Sequence, residues 1–424
     1  MPPHELEIFH KMESTSDGEI TETVDSVFAG TQTGANKIFV VTPVNADKIS
    51  SSDRGDTVKV VPSGGSYEYE IETDLLRPWL NGKDIRRWRC DWSGQHVILP
   101  YYVEINENGV REANTYTEDE MKAEFPKTWE YLSEHREKLE SRESGKMRGR
   151  DDWFAFTYPK SHHRFELPKV VAPAISMDSR FMLDEDGSWY YKTGYGIQFI
   201  DELIEDTDSL TAQLNSNALN FYFKHIASLK ISGAYEYRAQ YIEKLPFHIP
   251  NNQSIFNEIG EKVNIIVEIT DLNSKTDRFP EAYIGAYNGE IDYINYTWQT
   301  RRYPVNAKID EDDGGEFTVG AGRSDTIKKS EMYSGDREAR KKRAEYVHAA
   351  VDGRNVKSGE ETTIPIPRTD DGVETLLAEL ESDRETVEET SIDKLEAEID
   401  EAVYDLFDLT EDEREVVEEY LEVF

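Results

Sequence analysis

Cysteine is almost absent. Cys90 is the one thiol in 424 residues, which excludes an internal disulfide and any metal site built from several thiolates. Apolar runs of membrane-spanning length are missing, and the opening MPPHELEIF lacks the apolar core of a signal peptide. A soluble, cytoplasmic protein with no membrane partner is therefore expected. Positive charge is scarce too: 48 Lys and Arg stand against 86 Asp and Glu, a net charge of −38. Averaged over the chain, this opposes contact with a polyanion. As a surface property it fits a halophilic protein whose carboxylates keep it soluble in concentrated salt. Wholesale disorder is excluded by a 37% hydrophobic content that includes 23 Tyr and 17 Phe, and the length allows two or three domains.

The deficit of cations is uneven. Residues 360–424 hold 25 Asp and Glu against 4 Lys and Arg, whereas residues 142–169 hold 7 Lys and Arg against 4 Asp and Glu. Residues 74–92 set Arg77, Lys83, Arg86, Arg87 and Arg89 among Trp79, Trp88 and Trp92. Residues 144–164 (SGKMRGRDDWFAFTYPKSHHR) read as an irregular loop that mixes Lys146, Arg148, Arg150, Lys160 and Arg164 with four aromatic rings. Cations beside ring faces suit a polyanion with stackable bases. The plainer reading is that the tryptophans are core and the arginines pair with acidic neighbours. His162 and His163 have no acidic or histidine partner at ligand spacing, so DNA contact or simple exposure is expected there, and no metal.

The chain is organised around residues 209–246. Leu210, Leu214, Ala218, Phe221, Tyr222 and Ile226 fall on one helical face, which predicts a helix over 209–231 closing near Ser232–Gly233. An aromatic stretch around Arg238 and the closing Lys244-Leu245-Pro246 follow. Before it, Val27–Val41 reads as two strands about a turn containing Gly30 and Gly34. That turn lacks the Lys-Ser/Thr ending of a phosphate-binding loop. Residues 44–70 read as a polar insertion. Pro126 is placed to start a second helix inside 117–142. Farther on, Asp310–Gly315 reads as an exposed turn and Arg337–Arg343 as a basic helix. Ile392, Leu395, Ile399, Val403 and Leu406 share a stripe, and Thr410 with Glu413 forms a capping box for a last helix.

Several short motifs occur in series: Gly30-Thr-Gln-Thr-Gly34-Ala-Asn36-Lys-Ile-Phe39, Leu76-Arg-Pro78, Gly82-Lys-Asp84-Ile85-Arg86-Arg87-Trp88, Ile98-Leu-Pro100-Tyr101, Leu139-x-x-Arg142, Pro168-Lys169-Val-Val-Ala-Pro173, and Leu214-Asn215-Ser216 with Phe221-Tyr222. Together they resemble the TaqI-like C-terminal specificity domain, the target-recognition module of adenine-specific DNA methyltransferases and fused restriction–modification enzymes. The resemblance spans about residues 28 to 250.

It implies an α+β specificity domain over 24–250, preceded by an N-terminal arm (1–23); the composition break near Pro250 adds a mixed α/β extension (251–365) and an acidic helical tail (366–424) that ends in a helical hairpin. The resemblance also implies double-stranded DNA and a methyltransferase catalytic domain or subunit as partners. The catalytic Asn/Asp-Pro-Pro-aromatic loop of that family is absent from the sequence, as is a glycine-rich strand–loop–helix for S-adenosylmethionine. No cofactor and no catalytic residue is therefore expected in this chain, and S-adenosylmethionine would belong to the catalytic partner or to a missing N-terminal part. The residues expected at DNA are Lys83, Arg86, Arg87, Arg148, Arg150, Lys160, His162, His163, Arg164, Lys230, Tyr235, Tyr237 and Arg238, converging on one cleft. Gly30, Gly34, Asn36, Asn215 and Pro246 are expected to shape the fold. Two alternatives stay open: a restriction endonuclease with its site in residues 251–424, and an assembly subunit that never touches DNA.

Overall fold

The segment T-V-K-V-V-P, Thr57–Pro62, alternates between solvent and a buried face, as a strand with one wet side must. The structure, a computed structural model, describes residues 1–44, 55–158, 160–230, 233–250, 253–322, 324–327 and 336–424. Thr57–Pro62 belongs to a six-stranded sheet that also contains Tyr190–Tyr191, Leu76–Leu80, His96–Ile98, Val40–Pro43 and Tyr69–Glu72. Its strands are antiparallel except at the Tyr190–Tyr191 edge, which runs parallel to Leu76–Leu80. A second, antiparallel sheet orders Met182–Asp184, Lys169–Pro173, Gly194–Phe199 and Val24–Ala29. Trp79, Ile85, Val97, Trp153, Phe154, Phe165 and Tyr191 meet in the core between these elements. The fold is mixed α+β.

The organising segment differs from its expectation in two respects: it is two helices, Thr207–Asn215 and Asn217–Ile226, and not one, and the second closes at Ile226, where Ala227 turns extended, and not near Ser232–Gly233. Ser216 leaves helical geometry (ψ 153°), and its hydroxyl caps the second helix by accepting the Leu219 N–H. Asn215 turns its amide onto the Phe181 backbone, accepting from the N–H at 2.9 Å and donating to the C=O at 2.8 Å. The Ser216 cap competes locally with helix continuation, the Asn215 bonds reach thirty-four residues back, and apolar periodicity registers neither. Residues 231 and 232 of the expected helix end lie outside the described residues, and Gly233 beyond them has φ +79°.

The chain divides into two compact units. One unit is Met1–Asn264 together with Lys394–Phe424; the other is Ile265–Asp393. The helix Pro3–Thr15, expected as an arm, packs against the last helix, Glu411–Val423, and that helix packs on Asn217–Ile226. Phe9 stacks on Tyr222 at 4.2 Å, Tyr420 stacks on His225 at 4.5 Å, and Lys11 pairs with Glu413 at 2.6 Å. Ile399, Val403, Tyr404 and Val417 are buried by this arrangement. Of the apolar stripe read from the sequence, Ile399 and Val403 are fully buried despite the acidic composition of the tail. The capping box of Thr410 and Glu413 is present.

The unit Ile265–Asp393 pairs Ile291–Thr297 with Glu361–Pro367 and adds a three-stranded sheet, Lys308–Glu311, Phe317–Ala321 and Asp325–Ile327. Helices Arg337–Val351 and Asp370–Glu389 cover a core of Phe279, Trp298, Tyr346, Val347 and Ile364. Asp312 folds the 312–316 turn by accepting the N–H groups of Gly314 and Glu316. Among the described residues no helix is long and apolar enough to cross a membrane, and no His, Cys, Asp and Glu group could hold a metal ion.

Candidate nucleic-acid interface

Strand Leu76–Leu80 leads into a tight turn in which the Asp84 carboxylate accepts the Asn81 N–H at 2.8 Å. The turn buries Ile85 and leaves Lys83 exposed. Asp91 is shared by two cations, Arg86 at 2.9 Å and Arg89 at 3.1 Å. Arg87 points elsewhere. It donates to the Asn215 carbonyl at 2.7 Å and to Glu396 at 3.3 Å, while the Trp88 indole N–H bonds the same Glu396. Trp88 holds this position at φ +71°, a conformation that side chains rarely adopt. Arg87 is thus a bracket for the C-terminal hairpin, which corrects its assignment to DNA: its guanidinium is committed to a carbonyl and a carboxylate.

The hairpin carries a pH-sensitive group at the same place. Burial pushes the Asp400 carboxyl up to about 7, with Glu418 and Glu396 adding to the rise, although Arg87 and the Asn217 N–H pull it down. That N–H donates to Asp400 at 2.7 Å, and the neighbouring Tyr404 hydroxyl donates to Glu418. Between about pH 4 and pH 7 the folded chain keeps a proton that the unfolded chain has released, so stability falls as pH rises through that window. Asp400→Asn, which keeps the acceptor oxygen, is expected to melt close to the parent at pH 5 and several degrees above it at pH 8. An equal difference at both values would remove Asp400 as the source.

The loop 144–164 separates into an outer and an inner part. Trp153, Phe154 and Phe156 are at most 2% exposed and sit in the core, so they cannot stack on bases. This corrects the basic–aromatic reading of that loop, because large rings sequester apolar area whatever charges flank them. His162 is buried, contacts the Thr31 hydroxyl at 2.6 Å through Nε2 and is pulled down to about 4 by burial, hence neutral and closed to DNA. Arg164 is held by Asp25 and Gln198, and half-buried His163 gives its carbonyl to Arg111. Arg148 and Lys160 are exposed with no carboxylate partner among the described residues, and Arg150 forms a two-bond pair with Asp152 at 2.7 Å.

The third segment is a small ribbon. Glu236 and Tyr235 pair with Ile175 and Ser176, and residues 228–230 bond back onto 234–236. Glu236 is shared by Lys230 at 2.9 Å and Arg238 at 2.7 Å. Ile175 and Met177 are about half exposed beside them (52% and 53%). Tyr235 and Tyr237 are buried, Tyr237 stacking on Phe223 at 4.2 Å. They support the ribbon from below and offer no ring to a base, a second correction to the expected contacts.

Bonds bring two of the three segments together. The Tyr237 N–H reaches the Ala174 carbonyl, the Ala174 N–H reaches Thr193, and Thr193 and Pro173 lie against Gly82. The 144–164 loop joins at one remove. Gln32 bridges to Tyr158, and the Gly30 and Thr31 N–H groups bond the carbonyls of Gly194 and Tyr191. A Cβ at Gly30 would lie 2.5 Å from two carbonyl oxygens, so a glycine is required there. Gly34 has φ +71°, Asn36 accepts the Thr33 hydroxyl at 2.6 Å, and Pro246 pairs with Glu19. Sequence reasoning missed the cleft of about 990 Å³ beside this loop, where Lys37, Lys138 and Lys192 gather. These are isolated lysines far apart in the chain, and no local pattern marks them.

Residues 77–247 match the TaqI-like C-terminal specificity domain. The chain is 24% identical over 237 residues to the type II methyltransferase M.BstVI of Geobacillus stearothermophilus, covering 55% of this chain and 34% of that protein. It is 24% identical over 214 residues to the type II methyltransferase M.BanIII of Aneurinibacillus aneurinilyticus, covering 50% of this chain and 35% of that one. The chain thus matches about a third of the length of these curated relatives.

Proposed function

We propose that this chain is the sequence-reading part of a type II adenine-N6 DNA methyltransferase, non-catalytic by itself and serving a catalytic part that binds S-adenosylmethionine. The observation that carries the reading is the specificity-domain match over residues 77–247. The exposed cations support it: Lys83, Arg148 and Lys160 are open to a phosphate, and Arg86, Arg150, Lys230 and Arg238 sit in surface ion pairs. Such pairs are worth little, about 0–1 kcal/mol, so a DNA phosphate displaces a carboxylate at small cost.

Selection from a randomised duplex library in concentrated potassium chloride is expected to enrich one short sequence. On that sequence, Arg86→Ala should either cost ~1–3 kcal/mol with relaxed specificity or lower the salt slope by about one. The purified chain should transfer no labelled methyl group from S-adenosylmethionine. A library that enriches nothing overturns DNA reading, and methyl transfer by the pure chain overturns the non-catalytic assignment.

A further inference from the structure

We propose that the cleft of about 990 Å³ beside the Gly30–Asn36 loop binds the sugar-phosphate backbone of DNA through Lys37, Lys138 and Lys192. This rests on the reading above; Lys138 and Lys192 lie within residues 77–247, and Lys37 extends the footprint beyond them. Three elements build the cleft: the turn into the short helix Asn36–Phe39, the end of strand Thr57–Pro62 with Tyr67 beyond it, and the helical residues His135 and Lys138. Lys192 completes it from the loop that also receives the Gly30 N–H.

Its charge sets it apart from the rest of the molecule. Acidic residues make up 86 of 424, so sixteen lining residues would carry about three; among the described lining residues there is none. The three lysines are exposed, and none has a carboxylate partner among the described residues. Several other interface cations share carboxylates, as Arg86 and Arg89 share Asp91 and Lys230 and Arg238 share Glu236. In a chain of net charge −38 an open concave surface is the costliest place to leave acid out without reason, since solubility would favour carboxylates there. Low-dielectric walls also concentrate the field of the lysines inside the cleft. An anion of repeated charge fits this better than a small neutral ligand. The same loop bridges Gln32 to Tyr158, whose ring lies 4.2 Å from the Lys146 ammonium and which precedes Lys160 by two residues, so a bound strand would continue from one set of cations to the next.

The test compares the parent chain with the triple variant Lys37→Gln, Lys138→Gln, Lys192→Gln. All three side chains are exposed, and circular dichroism and melting confirm that the fold is unchanged. Binding of a labelled duplex carrying the selected sequence is followed by anisotropy from 0.1 to 1 M salt. Three lost phosphate contacts reduce the slope of log affinity against log salt by about 2.7 and weaken binding roughly a hundredfold near 0.2 M. Deoxyadenosine monophosphate is titrated in parallel to separate a strand from a free nucleotide. Unchanged slope and affinity in the triple variant overturn the cleft while leaving the proposed function standing. A lysine-dependent response to the mononucleotide alone reassigns the cleft to a small phosphate ligand and overturns the strand. A parent chain that binds no DNA at any salt overturns the cleft and the proposed function together.

Discussion

Lys169→Met is expected to destabilise the protein by about 3–5 kcal/mol, the usual cost of stranding one member of a buried ion pair. Lys169 lies in strand Lys169–Pro173, its ammonium fully buried against the Asp184 carboxylate and the Phe165 carbonyl. Burial pulls the lysine below its ordinary range even with Asp184 in contact. Asp184 accepts two further N–H groups, from Ser188 at 2.9 Å and Trp189 at 3.1 Å. Methionine fills the volume and removes the charge, so the carboxylate stays buried with two neutral donors. The double variant Lys169→Met, Asp184→Asn removes the buried charge and keeps one of the two acceptor oxygens, so it should recover part of the loss. Chemical denaturation of the three proteins checks this. A single variant within 1 kcal/mol of the parent, or a double variant no better than the single, would refute it.

The second large effect is expected at Arg142, a buried cation with no carboxylate among its hydrogen-bond partners. Its guanidinium donates to the carbonyls of Leu139 and Thr33 at 2.7 Å each, Trp153 at 2.6 Å and Ala155 at 2.8 Å. Burial pulls it down to about 10, which leaves it charged at neutral pH. It ties three stretches together: its own helical turn, the Gly34 loop and the inner part of the aromatic loop. Hydrogen bonds to charged groups contribute ~1.5–3 kcal/mol each and are not additive, so Arg142→Met is expected to cost about 4 kcal/mol. Arg142→Lys should recover only part, since an ammonium cannot address four carbonyls set around a planar fork. Full recovery by lysine, read from denaturation midpoints, would show that charge alone matters here.

Much of this scaffold is legible in the sequence, and the unread parts have a common cause. The turn after Gly30 leads into the helix Asn36–Phe39 and not directly into a strand, but Pro126 does begin a helix and Thr410 and Glu413 do form a capping box. Each is decided by residues within a few positions of one another. The break at Ser216 depends on what Asn215 finds at Phe181, thirty-four residues away. Arg87 reads like any exposed arginine in a basic segment until Glu396 arrives from the far end of the chain. Trp153, Phe154 and Phe156 carry the same local signal whether they face a base or a core. The three cleft lysines are collected from three separate elements by the tertiary fold. Local chemistry was readable, and side-chain partnership across the fold was not.

The sharing of one carboxylate by two cations, at Asp91 and again at Glu236, has a kinetic consequence for the DNA contact proposed above. In 1 M salt the Debye length is about 3 Å, so electrostatic steering of the two molecules toward each other is lost. On the proposed reading, the shared carboxylate would bias each guanidinium or ammonium toward the position it takes on DNA. Immobilising a long side chain on binding costs ~0.5–1.5 kcal/mol, and here folding has already met that cost. Recognition in brine would then be won in the lifetime of the complex and not in its rate of formation. Each carboxylate would act as a placeholder, keeping the phosphate's seat in shape until the strand takes it.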